Sequence, residues 1–240
     1  MIQGKRVLAV VPARGGSKGI TLKNLRPIDG VPLVAMVGPV IREVDEIDRA
    51  VVSTDHDEIA RVAEEAGIGA PFRRPETLSG DRIGDFDVLI HALQAIEAID
   101  GVLYDIVVML QPTSPLRRPE HVRGCLRRLV DGEWDAVWTV SETDSKGHPL
   151  KQLTVAADGT MDYYDPVGAT IVARQQLTPV YHRNGIAYAI TRQCLVEQGT
   201  IKGKRTGVYV VAGEYVSIDT ERDMALVEWI MRNPAVREAR

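Results

Sequence analysis

Cysteine is scarce in this chain. Only Cys125 and Cys194 occur among 240 residues, which excludes a disulfide framework and fits a reducing compartment, with the cytoplasm as the default expectation. Long apolar runs are missing too. No segment approaches the ~20 apolar residues that a bilayer-spanning helix needs. The first apolar run stops at Pro12-Ala13-Arg14, short of a secretory leader's core. Positive charge is not in excess: the net charge of -4 argues against a nucleic-acid-binding face or attachment to an anionic membrane. The five histidines, His56, His91, His121, His148 and His182, lack zinc-site spacing and have no paired cysteines to join them. Neither cysteine lies in a glycine-rich turn suited to a nucleophile, so neither supports a covalent mechanism. Internal repeats and low-complexity tracts are absent as well.

What is present is a chain with 45% hydrophobic residues, enough for one α/β domain over 1–240, or a domain with a small insert. Short apolar runs alternate with amphipathic stretches. The pattern predicts a buried strand over 5–12, a helix over 32–45, a strand at Ala50-Val51-Val52-Ser53-Thr54, a helix over 56–67 stopped by Gly67, a helix over 85–99 and a strand over 105–110. Strand-helix repetition implies a mainly parallel sheet covered on both faces, with ligands beyond the strand C-terminal ends. Residues 143–182, rich in Gly, Asp, Thr and Tyr, read as an inserted β-rich arm. A return strand over 185–190, a strand over 208–211 and a helix from about Glu221 to Arg232 close the chain.

The richest segment is Val7-Leu8-Ala9-Val10-Val11-Pro12-Ala13-Arg14-Gly15-Gly16-Ser17-Lys18-Gly19, with Lys23-Asn24 beyond it. An apolar strand runs into a glycine-rich loop bearing Arg14, Lys18 and Lys23. Glycines let backbone N–H groups approach an anion, arginine can fork onto phosphate oxygens, and lysines act as point charges. A solvated turn is the plain alternative for Gly15-Gly16 alone. Neither the P-loop order nor the dinucleotide Gly-x-Gly-x-x-Gly fingerprint is met.

The series Pro12-Ala13-Arg14-Gly15-Gly16-Ser17-Lys18-Gly19, Lys23-Asn24, Val52-Ser53-Thr54-Asp55, Arg74-Pro75, Gln111-Pro112-Thr113-Ser114-Pro115-Leu116-Arg117, Arg174-Gln175, Asn184-Gly185 and Ile218-Asp219-Thr220 resembles the cytidylyltransferases that activate nine-carbon acidic sugars, the CMP-N-acetylneuraminate synthetase family. The resemblance spans nearly the whole chain. It implies a Rossmann-like nucleotidyltransferase fold with a small β-rich dimerisation insert at about 143–182. The implied reaction joins CTP to a 2-keto-3-deoxy sugar acid with Mg2+, releasing pyrophosphate. By the family pattern Arg14, Lys18 and Lys23 serve the triphosphate. Ala13, Gly15, Gly16, Asn24, Arg74 and, against the usual small hydroxyl residue, Asp85 lie at the nucleotide. Gln111, Lys151, Arg174 and Tyr188 lie at the sugar, Lys151 or Arg174 acting across a homodimer. Without the resemblance Lys151 and Arg174 read as surface charges, Arg74 as a loop residue, Tyr188 as core, and Asp81 with Asp85 as acids favouring a helix N-terminus. Loss of one loop charge should slow the reaction roughly 10²–10³-fold.

Two departures from the family pattern matter. The family's Asp-x-Asp metal pair reads Ser217-Ile218-Asp219 here; Asp219 remains, and the Ser217 hydroxyl can reach magnesium directly or through water, with Asp55 as a compensating carboxylate. Where some relatives place aromatics against an N-acyl group, the chain reads Gly199-Thr200-Ile201. The sugar acid is therefore open among sialic, legionaminic and pseudaminic types, with the eight-carbon acid Kdo behind them. A catalytically impaired nucleotide- or sugar-binding homologue is the alternative that Ser217 motivates.

Overall fold

The computed structural model describes residues 1–213 and 215–233. Val7–Pro12 forms β1, buried except at its last residue, as a strand covered on both faces must be. A glycine-rich loop and a 3-10 turn at Lys23–Leu25 lead to a small ribbon, β2 (Pro27–Ile28) and β3 (Val31–Pro32), then to α1 (Val37–Arg42) and β4 (Arg49–Ser53). There follow α2 (Asp57–Glu65), α3 (Asp85–Asp100), β5 (Ile106–Met109), α4 (Pro119–Asp131) and β6 (Ala136–Glu142). Beyond them the hairpin β7 (Leu153–Val155) and β8 (Met161–Tyr163) leaves the sheet. The chain re-enters it as β9 (Tyr181–Thr191), continues through α5 (Arg192–Val196) and β10 (Thr206–Val210), and ends in α6 (Glu221–Arg232).

The six-stranded sheet has the order β10-β6-β9-β5-β1-β4. All pairings are parallel except those of β9, which runs antiparallel to both β5 and β6. β1 has β4 on one side and β5 on the other, so the order reverses at β1. Loops leaving such a point diverge and open a crevice at the strand C-terminal ends.

Alternation along β1 sends side chains into two cores. Val7, Ala9 and Val11 meet Val37 and Ile41 of α1, Ile59 and Val62 of α2, and Val122 and Leu126 of α4. Leu8 and Val10 meet Leu89, Leu93 and Ile96 of α3 with Cys194 and Leu195 of α5. Cys125 lies in the first core and Cys194 in the second, so both thiols stay free. A third cluster joins Ile20, Ile28, Leu33, Leu116 and Ile218 to Met224, Val227 and Ile230 of α6. It anchors the glycine-rich loop and the 217–219 segment on one apolar base.

The helix expected over 32–45 runs only from Val37 to Arg42. Pro39 explains the late start: it has no N–H to donate and is tolerated only within a first helical turn, so the helix cannot begin as early as residue 32. The sequence assigned nothing to 119–142, where α4 and β6 form. The segment 143–182 holds one short hairpin and 3-10 turns at 149–151, 166–170 and 174–176, which is less strand than its composition predicts. The helix expected from Glu221 to Arg232 is present at those bounds.

Gly38 holds α1 against the end of α2: a Cβ built there would lie 2.1 Å from the Ala66 carbonyl oxygen, a backbone atom that cannot swing away. Gly38→Ala should therefore destabilise the fold by about 1–3 kcal/mol, read as a lower urea midpoint at constant slope; an unchanged midpoint would contradict this packing.

Candidate active site

Loops after β1, α2 and β5 converge with the 217–219 segment on an open cleft of about 620 Å³, lined among others by Arg14, Lys18, Lys23, Asn24, Arg74, Asp81, Asp85, Gln111, Ser217 and Asp219. Most of the residues the sequence singled out thus meet in one place. Ala13 does not: it is fully buried, and its N–H donates to the Ser53 carbonyl at 2.9 Å, so it serves the junction with β4.

The glycine-rich loop is fastened at both ends. Gly15 N–H donates to Asp55 Oδ1 at 2.8 Å, and Asn24 Nδ2 donates to the Arg14 carbonyl at 3.0 Å. A Cβ on Gly15 would press on the His56 ring at 3.0 Å, and one on Gly19 would lie 2.7 Å from the Asp219 carbonyl oxygen. Gly16 has open space around it. Gly19 is therefore demanded by a close backbone approach, while Gly16 leaves its backbone bare.

Lys23 closes the same seam from the side. Its half-buried ammonium donates to the Ile218 carbonyl at 2.8 Å and to Asp219 Oδ1 at 2.9 Å. Ile218 N–H donates to the Thr113 carbonyl at 2.8 Å, and Asp223 Oδ2, within the Thr220–Asp223 capping box of α6, accepts from Asp219 N–H at 3.0 Å. Asp219 is thereby placed by its own backbone, leaving its carboxylate exposed beside the loop. Arg14 and Lys18 both reach Asp81, at 2.9 and 2.5 Å. The Lys18 hydrogen bond foremost, and then Arg14, hold the Asp81 carboxyl below the usual carboxylate range. An anion entering the loop would compete with Asp81 for these two cations.

Arg74 is nearly fully buried. Its guanidinium donates to the Ser53 carbonyl, its Nε has no partner among the described residues, and burial lowers its pKa to about 10 despite the nearby Asp55 carboxylate. At α3's first turn burial raises the Asp85 carboxyl, and Arg183 partly opposes that shift. Gln111, in the loop after β5, also lines the cleft.

A family model described as Cytidylyltransferase matches residues 8–236. This chain belongs to the cytidylyltransferases. Among curated relatives it is 32% identical over 229 residues to the CMP-N,N'-diacetyllegionaminic acid synthase of Legionella pneumophila, covering 94% of this chain and 96% of that one. It is 30% identical over 236 residues to the N-acylneuraminate cytidylyltransferase of Streptococcus agalactiae, covering 96% of this chain but only 55%, about half, of that longer protein. A solved CMP:2-keto-3-deoxy-manno-octonic acid synthetase, described as complexed with CTP, superposes with a TM-score of 0.67 at 19% identity, covering 95% of this chain and 99% of that one. A 4-diphosphocytidyl-2C-methyl-D-erythritol synthase from Anaerococcus prevotii superposes at 0.59 and 15% identity, covering 96% and 100%. These two likenesses carry the fold, a Rossmann-like nucleotidyltransferase.

The residues of four further expectations for this cytidylyltransferase lie outside the cleft on their own chain. Lys151 and Arg174 are exposed on the 143–182 segment, and Arg174 lines a separate cavity of about 550 Å³ with His148, Glu142 and Thr143. Tyr188 belongs to the second core, where its hydroxyl accepts from Gly185 N–H at 3.0 Å and burial raises its pKa. Gly199-Thr200-Ile201 follows α5, and since Thr191 of β9 pairs with Ile106 at the start of β5, this stretch lies at the opposite end of the sheet from the cleft. Asp55 is occupied by Gly15 and is not among the cleft-lining residues, so it does not join Ser217 and Asp219. Among the described residues no three His, Cys, Asp or Glu side chains cluster as a metal site. Ser217 and Asp219, exposed on either side of buried Ile218, are hard oxygen donors; they fit magnesium when phosphates and water complete its octahedron.

Gly19→Ala should part the loop from the Asp219 segment and lower kcat/KM for CTP about 10–100-fold, while Gly16→Ala leaves the melting temperature unchanged; equal behaviour of the two would contradict the close-approach argument. A carboxyl whose pKa is raised by folding binds its proton more tightly in the fold, so stability falls as pH rises through and above the ordinary carboxylate range. Asp85→Asn removes that loss, and its stability relative to the parent protein should climb with pH through and above the ordinary carboxylate range in urea titrations.

Proposed function

We propose that this protein transfers the cytidylyl group of CTP to a nine-carbon 2-keto-3-deoxy sugar acid, forming the CMP-sugar and pyrophosphate. The observation that carries the reading is one cleft lined by Arg14, Lys18, Lys23, Gln111 and Asp219 together, in a cytidylyltransferase with a relative of matching length named as a CMP-N,N'-diacetyllegionaminic acid synthase.

The anomeric hydroxyl of the sugar attacks the α-phosphorus, the α–β phosphoanhydride bond breaks, and pyrophosphate leaves. Such a step asks for alignment and charge neutralisation more than for covalent help. Arg14 and Lys18, released from Asp81, neutralise the triphosphate; Lys23 adds charge beside Asp219. Asn24, Arg74 and Asp85 take the nucleotide, and the Gln111 carboxamide takes the sugar. Mg2+ held by Asp219, with Ser217 and substrate oxygens, supplies further charge stabilisation when bound. Lys151 and Arg174 act from the arm of a second copy in a homodimer, since on their own subunit they lie outside the cleft. The reaction belongs to the cytoplasm, and no helix among the described residues is long and apolar enough to cross a membrane. Kdo as the sugar acid is the secondary choice. A binding homologue without turnover is the second reading, motivated by the single carboxylate at Asp219.

Pyrophosphate release with CTP, Mg2+ and a panel of N-acetylneuraminic, legionaminic, pseudaminic and Kdo acids tests this. Turnover with one nine-carbon acid, lost in Asp219→Ala, is expected, and Ser217→Asp should lower the half-saturating Mg2+ concentration severalfold. Cytidine nucleotide binding without turnover on any acid would favour the second reading.

A further inference from the structure

Arg117 is a fully buried guanidinium for which no carboxylate among the described residues provides a partner. Burying such a cation is costly unless its N–H groups are satisfied. Backbone carbonyls satisfy it. Nη2 donates to the Gln111 carbonyl at 2.6 Å and to the Gly185 carbonyl at 3.1 Å, and Nε donates to the Ile186 carbonyl. One side chain thus ties the loop after β5 to the start of the buried part of β9.

The joint it ties is shaped around the Gln111 side chain. Gly185 has φ +69°, and a Cβ there would lie 2.4 Å from Gln111 Oε1 and 2.6 Å from Ser114 Oγ. Ser114 Oγ donates to the Asn184 carbonyl at 2.7 Å, and Asn184 is itself held by Thr139 and Ser141. The Gln111 carboxamide therefore rests on a bare backbone, and Arg117 sets the height of that backbone by holding both sides of the seam.

We propose that Arg117 is a positioning residue for the sugar end of the cleft, fixing the Gln111 carboxamide against the Gly185 bend without touching substrate. This rests on the reading that Gln111 meets the sugar acid. The planar fork is required because it reaches carbonyls on two segments at once, whereas a lysine ammonium is a point charge and cannot span them.

The test compares Arg117→Lys, Gly185→Ala and Gln111→Ala, with Arg117→Lys repeated in the Gln111→Ala background. Arg117→Lys should raise KM for the sugar acid about 10–100-fold and leave KM for CTP within about twofold. Gly185→Ala, which crowds the carboxamide and strains the φ +69° bend whose carbonyl accepts from Arg117, should do the same. With Gln111 already truncated, Arg117→Lys should add little further loss. Equal loss in both backgrounds, or equal loss for CTP and sugar, would mean a general structural role and overturn the proposal. Amide exchange over 111–116 reports the tether without substrate: faster exchange in Arg117→Lys supports it, and unchanged exchange overturns it. Absence of turnover by the parent protein with every acid would instead sink the reading of Gln111 on which the proposal depends.

Discussion

Parallel hydrogen bonding on both edges of β1 is the constraint from which the rest follows. Its register with β4 and β5 brings Ser53 level with Pro12 and Met109 level with Val10, so three chain segments leave the sheet at one level. The glycine-rich loop, Arg74 and Gln111, far apart in sequence, become neighbours because of this pairing. The apolar faces of β1 cannot slip by one residue without exchanging the two cores. The position of the cleft is thus set by hydrophobic burial before any charged group contributes.

Cations around the cleft divide into two kinds. Arg14 and Lys18 pair with Asp81 at the surface, where such pairs are worth only about 0–1 kcal/mol and are readily exchanged. Arg74 and Arg117 are buried and hydrogen-bond backbone carbonyls of Ser53, Gln111, Gly185 and Ile186. The first kind can be given up to a ligand. The second holds the walls, and an acceptor lost there would leave a buried charge uncompensated.

Much of this was legible in the sequence, for physical reasons. Val7–Pro12 and Ile106–Met109 are continuous apolar runs, and α2, α3 and α6 carry helical spacing, with Gly67 as the stop after α2. Arg14, Lys18, Lys23, Arg74, Gln111 and Asp219 of the motif series line the cleft. What stayed hidden depended on tertiary context. Arg117 sits in a motif and reads as another surface or ligand cation; nothing local says that carbonyls from β9 surround it. Asp81 gives no sign that it faces Arg14 and Lys18. Gly199-Ile201 was matched by position along the chain, while the reversal of β9 carries it to the far end of the sheet. Pro39 did carry a signal, since it forbids a helix starting at 32. So did Pro119 at the first position of α4, ahead of apolar Val122, Leu126 and Leu129.

β9 runs antiparallel to β6, and Glu142 pairs with Tyr181 where the arm departs and returns. The mouth of that excursion is therefore clamped by ladder hydrogen bonds in the sheet. The entropy of closing a loop rises only logarithmically with its length, by about 0.6 kcal/mol for each doubling. Residues 143–180 can consequently be lengthened, trimmed or rebuilt with little penalty to the sheet, which makes this excursion the part of the chain most open to divergence.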